Sequence, residues 1–144
     1  MENKWHLEVV FVKIGVVIIM QTLKRSIILQ VHLFLLFIIF GVSTIVSQFY
    51  PGGLINYLTL GLMGANIIIG IICFFKIPKD EIVVVNLINM QRSKICLYGL
   101  ALSLLVRFLA VFDFLIFYVM ISAGVLMVIS ALFGFLNALK ALNN

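Results

Sequence analysis

The sequence predicts an all-α integral membrane protein with about four transmembrane helices. Two compositional observations predict this class: 65% of the 144 residues are hydrophobic, and only 10% are charged. Soluble domains carry about 25% charged residues, so the surface of this chain is suited to lipid. The third observation is the length, which accommodates four spans of about 20 residues with short connections. We therefore expect one helical membrane domain over residues 1–144.

The segment from Leu7 to Met20 precedes the first well-defined span. It is apolar, but Lys13 interrupts it, and it is shorter than the roughly 17 residues that a span requires. It predicts an interfacial or partly inserted helix, and whether it crosses the membrane as a fifth span stays open at this point. Glu2, Glu8 and Lys13 do not fit a secretory signal peptide, so we expect the N-terminus to be retained.

The four spans follow from apolar stretches that are bounded by turn residues or charges. Between the first and second, Pro51 lacks a backbone donor and the two glycines after it tolerate turn conformations. Gly61 and Ala65 in the second span have a small-residue spacing that favours helix packing. Only Asp113 and its neighbours separate the third and fourth spans, which predicts a tight helical hairpin. The predicted spans are 26–48, 54–75, 95–112 and 114–139.

Residues 76–94 form the longest break in the apolar pattern. Charged residues surround the moderately apolar segment from Ile82 to Met90, so we expect a connection with room for one interfacial helix.

The basic residues near the span ends all fall on one side of a four-span arrangement. By the positive-inside rule that side is the cytoplasm, which predicts a multi-pass protein of the cell membrane with a cytoplasmic C-terminus. The scattered cations do not form the clustered patch that nucleic-acid binding requires. The residues counted are Lys24, Arg25, Lys76, Lys79, Arg92, Lys94 and Lys140.

Three polar residues in or beside the spans are candidate functional sites: His32, Arg107 and Asp113. An ionisable residue inside a membrane is expensive, and it is a functional hypothesis by default. His32 has a structural alternative, a hydrogen bond to a neighbouring helix. A turn at Phe112 would bring Asp113 to Arg107, and the two alternatives for this pair are a structural ion pair and an ion or substrate site.

The sequence predicts no catalytic, metal-binding or cofactor-binding residue. A cysteine peptidase needs a thiol beside an activating histidine, and neither Cys73 nor Cys96 has an informative spacing from His6 or His32. No His and Cys residues have the spacing of zinc ligands, and a Gly-rich phosphate loop is lacking. We expect the two thiols to be unpaired.

The order of features from about Ser26 onward is two spans, a charged connection marked by Pro78, and two final spans, the last of which includes Tyr118–Val125. In this order the chain resembles the accessory gene regulator B family, bacterial membrane peptidases that trim precursors of cyclic quorum-sensing peptides. The chain has Ile77 where the family usually has Ala. The family's catalytic His and Cys precede the resembling region, and the corresponding stretch here, Val16–Ser26, contains neither residue type.

The resemblance implies a truncated or degenerate relative that takes part in peptide-signal production or export by holding a small peptide precursor at the cytoplasmic membrane face. Whether any peptidase activity remains is open. An alternative is a non-enzymatic bacteriocin-immunity or transporter-accessory subunit, whose partner is another membrane protein. A channel or carrier would use His32, Arg107 and Asp113 to line a path. Each alternative has the lipid bilayer as a partner, and none involves nucleic acid.

Overall fold

The computed structural model describes residues 8–12, 15–112 and 115–143, and side chains from residue 22 onward. Within this part, four helices are long and apolar enough to cross a membrane, which confirms the predicted all-α membrane class. The helices are α1 (Lys24–Phe49), α2 (Gly53–Lys76), α3 (Leu87–Phe108), which continues into a 3₁₀ turn (Leu109–Phe112), and α4 (Ile116–Leu142).

Three strands accompany the helices: β1 (Glu8–Val12), β2 (Gly15–Leu23) and β3 (Ile82–Asn86). They form one antiparallel sheet in the order β1-β2-β3. In its register Val12 pairs with Gly15 of β2, and Leu23 at the other end of β2 pairs with Ile82.

The predicted N-terminal helix over Leu7–Met20 was therefore wrong in its described residues, 8–12 and 15–20. The interfacial helix expected between residues 76 and 94 was also wrong. Both segments are rich in Val and Ile, whose branched side chains favour extended backbone. A short apolar run does not distinguish a strand from a helix by its periodicity. Pairing between β2 and β3, about sixty residues apart, decides in favour of the strands.

The third span begins at Leu87, earlier than the predicted residue 95. The Asn86 side chain caps the helix, because its Oδ1 accepts a hydrogen bond from the Ile88 N–H at 3.1 Å. Arg92 and Lys94 lie in the first turns of this helix, and both side chains are exposed. Long basic side chains near the end of a span can extend their charge toward water. The fourth span begins at Ile116, after Leu115 has turned the chain with a left-handed φ of 48°.

One end of the helix bundle carries all the described basic residues except Arg107. The start of α1, the end of α2, the start of α3 and the end of α4 meet there, and β2 and β3 lead directly into α1 and α3 at the same end. Lys24 ties the sheet to this end, because its N–H donates to the Glu81 carbonyl at 3.0 Å and its Nζ lies 2.7 Å from Glu81 Oε1. We call this the basic end, and the other the opposite end.

The helix α4 lies between α1 and α3, whereas α2 packs chiefly against α1. Gly134 of α4 lies against Phe34 of α1, whose ring is only 1% exposed and occupies the space that a Cβ on Gly134 would need. Small residues recur along the buried side of α4, and they allow the helix backbones to approach closely. They are Ala123, Gly124, Ala131, Gly134, Ala138 and Ala141.

The small-residue spacing in α2 has no such role within the described chain. A Cβ on Gly61 would meet nothing there, and Ala65 is exposed. The predicted packing of these two residues therefore has no partner in the described part of this protein.

Candidate functional site

A cavity of about 340 Å³ opens at the basic end between α1, α3, α4 and the sheet. We call it the basic-end cavity. Its volume is in the range of about 300–1,000 Å³ that is typical of ligand pockets. Val85 of β3 and Ala138 of α4 belong to an apolar cluster beside it. Its polar lining consists of Thr22, Ser26, Gln30, Asn89, Ser93, Lys94 and Asn137.

Asn137 holds one wall of this cavity together. Its Nδ2 donates to the Asn89 carbonyl and to Ser93 Oγ, both at 2.6 Å, and so joins α4 to α3. An amide in an apolar span is costly unless it finds partners, and these two bonds satisfy the amide nitrogen of Asn137.

The amide of Asn89, unlike that of Asn137, makes no hydrogen bond within the described chain. The residue is nevertheless only 8% exposed. Every fully enclosed polar side-chain atom in the described part has a partner. Asn89 is among the residues that line the basic-end cavity, so its amide lies beside that space. Such an amide offers one acceptor and two donor hydrogens to a ligand.

The sequence-predicted candidate His32 lies elsewhere, between α1 and α2. Its Nδ1 is 2.8 Å from Asn66 Oδ1, while Asn66 Nδ2 donates to the His32 carbonyl at 2.9 Å. A carbonyl oxygen only accepts, so the orientation of the Asn66 amide is fixed and Nδ1 of His32 must carry a proton. The ring packs over Gly70, where a Cβ would lie 3.0 Å from it. His32 thus has the helix-to-helix bond that was its structural alternative.

The second candidate, Arg107, lies at the opposite end of the bundle. Its Nη1 donates to Thr44 Oγ1 at 2.9 Å, and its guanidinium carbon lies 4.3 Å from the centroid of the Phe40 ring. The Thr44 hydroxyl can accept this bond because its own proton is donated to the Phe40 carbonyl at 2.9 Å. Arg107 therefore joins α3 to α1 through a hydrogen bond and a cation–π contact.

Asp113 lies outside the described residues, so its pairing with Arg107 stays a prediction. The structure does not bring His32 and Arg107 together. Thr44, the partner of Arg107, is twelve residues beyond His32 in α1, about 18 Å along the helix.

Cys73 and Cys96 are free thiols on α2 and α3. In the described part of the chain, neither thiol is hydrogen-bonded to His32, whose Nδ1 is directed at Asn66. Cys96 packs against the apolar cluster around Phe34. His6 lies outside the described residues. Among those described, no three His, Cys, Asp or Glu residues are grouped as metal ligands.

Comparison with known proteins identifies no relative of this chain. No family model, curated protein or solved structure matches this chain.

The residues of the basic-end cavity were missed in the sequence. One feature of the sequence could have indicated such polar contacts between helices. Asn66 and Asn137 are each a single amide in an otherwise apolar span. A buried amide needs a partner, so each predicts a contact with another helix. Asn89 gave no such signal, since it lies at the end of a short, moderately apolar segment that Gln91, Arg92 and Lys94 follow.

Proposed function

We propose that this membrane protein holds an extended peptide segment at the cytoplasmic face of the membrane, without cleaving it. The observation that carries the proposal is the amide of Asn89, which has no hydrogen-bond partner among the described residues and lines a cavity beside β3. The resemblance to accessory gene regulator B supplies the class of ligand, a precursor of a peptide signal. The basic end supplies the cytoplasmic orientation through the positive-inside rule.

The edge strand β3 supports the binding of an extended chain. Among the described residues β3 pairs only with β2, so its other edge has backbone groups available to a further strand. Val83 and Val85 face the bundle, and Val85 also lines the cavity. A peptide added along β3 would place alternate side chains on the same side as these two residues.

The polar lining supports a peptide rather than an apolar ligand. Asn89 and Gln30 present amides, which can bond both the N–H and the C=O groups of a peptide backbone. Lys94 adds a positive charge that suits an acidic side chain or a terminal carboxylate. No acidic residue occurs among the described residues that line the cavity.

Site-specific photocrosslinking tests this proposal. A photoreactive phenylalanine at Gln30, in the cavity, is compared in the native cell with one at Leu60, which lies on the exposed surface of α2. We expect one peptide to be attached at residue 30 and not at residue 60. Identical products at the two positions, or no peptide at residue 30, would contradict the proposal.

The captured peptide is then synthesised and its affinity measured with the purified protein. Asn89→Leu should weaken binding at least tenfold, because a hydrogen bond to a buried group is lost and the amide is replaced by a hydrocarbon. The matched control is Asn56→Leu, the same change at an exposed position of α2 near the opposite end. Equal affinity of the two variants would rule out the cavity as the binding site.

A second candidate function is that of a subunit in a larger membrane assembly, such as an immunity or transporter-accessory protein. It is favoured by α2, which packs chiefly against α1 and leaves Ile68 and Ile71 more than half exposed. A cysteine at Ile68, cross-linked within the membrane, should then capture one defined partner protein. Cross-linking to lipid alone would favour the peptide-holding function.

A further inference from the structure

A second cavity, distinct from the basic-end cavity, lies on the outer surface of the bundle between α3 and α4. It has a volume of about 570 Å³, and we call it the α3–α4 groove. Its floor is where Gly99 of α3 meets Ser130 of α4, so closely that a Cβ on Gly99 would overlap the serine. Its apolar walls are largely exposed and consist of Ile95, Ile129, Phe133 and Leu136.

Two cations mark the end of the groove at the basic end. Arg92 of α3 and Lys140 of α4 both line it, and both side chains are exposed. The one ion pair among the described residues joins Lys24 to Glu81, so neither cation of the groove is paired within the described chain. No acidic residue is among the described residues lining the groove. The end of the groove therefore suits an anion.

The length of the groove matches one leaflet of a bilayer. Along α4 it extends from Lys140 to Ile129, eleven residues or about 16 Å. Half of a hydrocarbon core about 30 Å thick is about 15 Å. An occupant with its charge between Arg92 and Lys140 would thus have an apolar portion as long as one acyl layer.

We propose that the α3–α4 groove binds an anionic phospholipid of the leaflet at the basic end. The phosphate lies between Arg92 and Lys140, and one acyl chain lies along Ile95, Ile129 and Phe133. Basic pockets between membrane helices recognise lipid headgroups through this combination of charge and apolar surface. The lipid would cover side chains of α3, such as Ile95, that are exposed in the described part of the chain, and would thereby hold α3 against α4.

Lipid binding can be measured on the purified whole protein by native mass spectrometry and by thermal unfolding in detergent. The probes are dioleoyl phosphatidylglycerol, dioleoyl phosphatidylcholine and inorganic phosphate. We expect phosphatidylglycerol to remain bound and to raise the unfolding temperature, whereas phosphatidylcholine and inorganic phosphate have little effect. An equal effect of phosphatidylcholine would refute recognition of the charge, and an equal effect of inorganic phosphate would refute the lipid as the occupant.

Variants then locate the site. Each cation near an anionic headgroup contributes about fivefold to affinity, so R92Q combined with K140Q should weaken binding of phosphatidylglycerol about thirtyfold. K76Q combined with K79Q removes the same charge from the same end, outside the groove, and should leave the affinity within about twofold. Similar losses in both double variants would mean that the lipid responds to net charge alone, and the proposed site would be abandoned.

A third variant separates the acyl chain from the headgroup. Ile95 is 66% exposed, so I95W fills the groove without disturbing the core. It should lower the affinity for phosphatidylglycerol while the variant unfolds like the unchanged protein when no lipid is added. If I95W instead breaks up a dimer of this chain, the groove is an interface between two copies and the lipid proposal is wrong.

Discussion

His32 and Asn66 bond each other twice, ring to amide and amide to backbone, at 2.8 and 2.9 Å. They join the first helix to the second, which packs chiefly against that one neighbour. This polar pair, Gly70 beneath the imidazole, and the Thr59–Ser43 hydroxyl bond of 2.6 Å nearer the opposite end all hold α2 against α1. At the basic end Arg25 adds a hydrogen bond of 2.8 Å to the Ile77 carbonyl and a cation–π contact of 4.8 Å with Phe74.

The first prediction is a coupling between His32 and Asn66. A double-mutant cycle with His32→Ala and Asn66→Ala should give an interaction of about 1 kcal/mol, within the range found for polar contacts between membrane helices. The measurement is the free energy of unfolding of the two single variants and the double variant in mixed micelles. Strictly additive losses would mean that the bond between the imidazole and the Asn66 amide does not stabilise the helix pair. The bond to the His32 carbonyl is outside this test, because His32→Ala retains that carbonyl.

A second prediction concerns the contact between Gly134 and Phe34. Gly134→Ala should destabilise the protein by about 1–3 kcal/mol, because the added methyl group overlaps a ring that has no free space. Gly61→Ala, at an open position of α2, should be neutral or slightly stabilising, since alanine is the better helix former. Thermal unfolding compares them, and Phe34→Leu should recover part of the loss in Gly134→Ala. Equal stability of the two alanine variants would contradict close packing of α1 on α4.

Arg107 is the subject of the third prediction. Arg107→Lys keeps the charge but loses the planar group over Phe40 and the fixed geometry of the bond to Thr44, so it should cost about 1 kcal/mol. Arg107→Leu removes both contacts. If Asp113 also pairs with Arg107, as the sequence predicts, then Asp113→Asn should recover part of the stability lost in Arg107→Leu. Unfolding in detergent checks both, and a fully stable Arg107→Lys variant would show that the ring contact is unimportant.

The fourth prediction is the orientation of the bundle. In a protein whose two cysteines have been replaced by alanine, Lys79→Cys at the basic end should be protected from an impermeant thiol reagent in intact cells. Gly52→Cys, in the loop at the opposite end, should react. The excess of Lys and Arg at the basic end is the reason for this expectation. Labelling of residue 79 from outside would show that the basic end faces outward. The predicted orientation would then be wrong, and so would the cytoplasmic location of the proposed peptide site.

The sequence was sufficient to predict the number of spans, their turn at Pro51 and the clustering of cations at one end. These features depend on local composition, since about 20 apolar residues are needed to cross a bilayer whatever the helix contacts. The cavity and the polar contacts depend on how each helix is rotated about its axis. In a chain whose lipid-facing side is as apolar as its core, periodicity carries little information about that rotation. The sequence therefore shows that Asn89 and Asn137 are polar, but it does not predict that they are in contact.

The strands were missed for a different reason. The pairing of residues 19–23 depends on residues 82–86, which are far away in the sequence and reach them only after the chain has crossed the membrane twice. The local sequence of either segment therefore does not predict that the two pair as strands.

The pairing of β2 with β3 also has a consequence for the order in which the chain folds during its synthesis. The hairpin of β1 and β2 is synthesised first, but the partner of β2 is synthesised only after α1 and α2. Until then the second edge of β2 is open, and open edges invite pairing with other chains. Since β2 and β3 must end on the same side of the bilayer, an intermediate in which α2 has failed to insert could not close the sheet. The sheet can therefore close only when α1 and α2 have both been inserted.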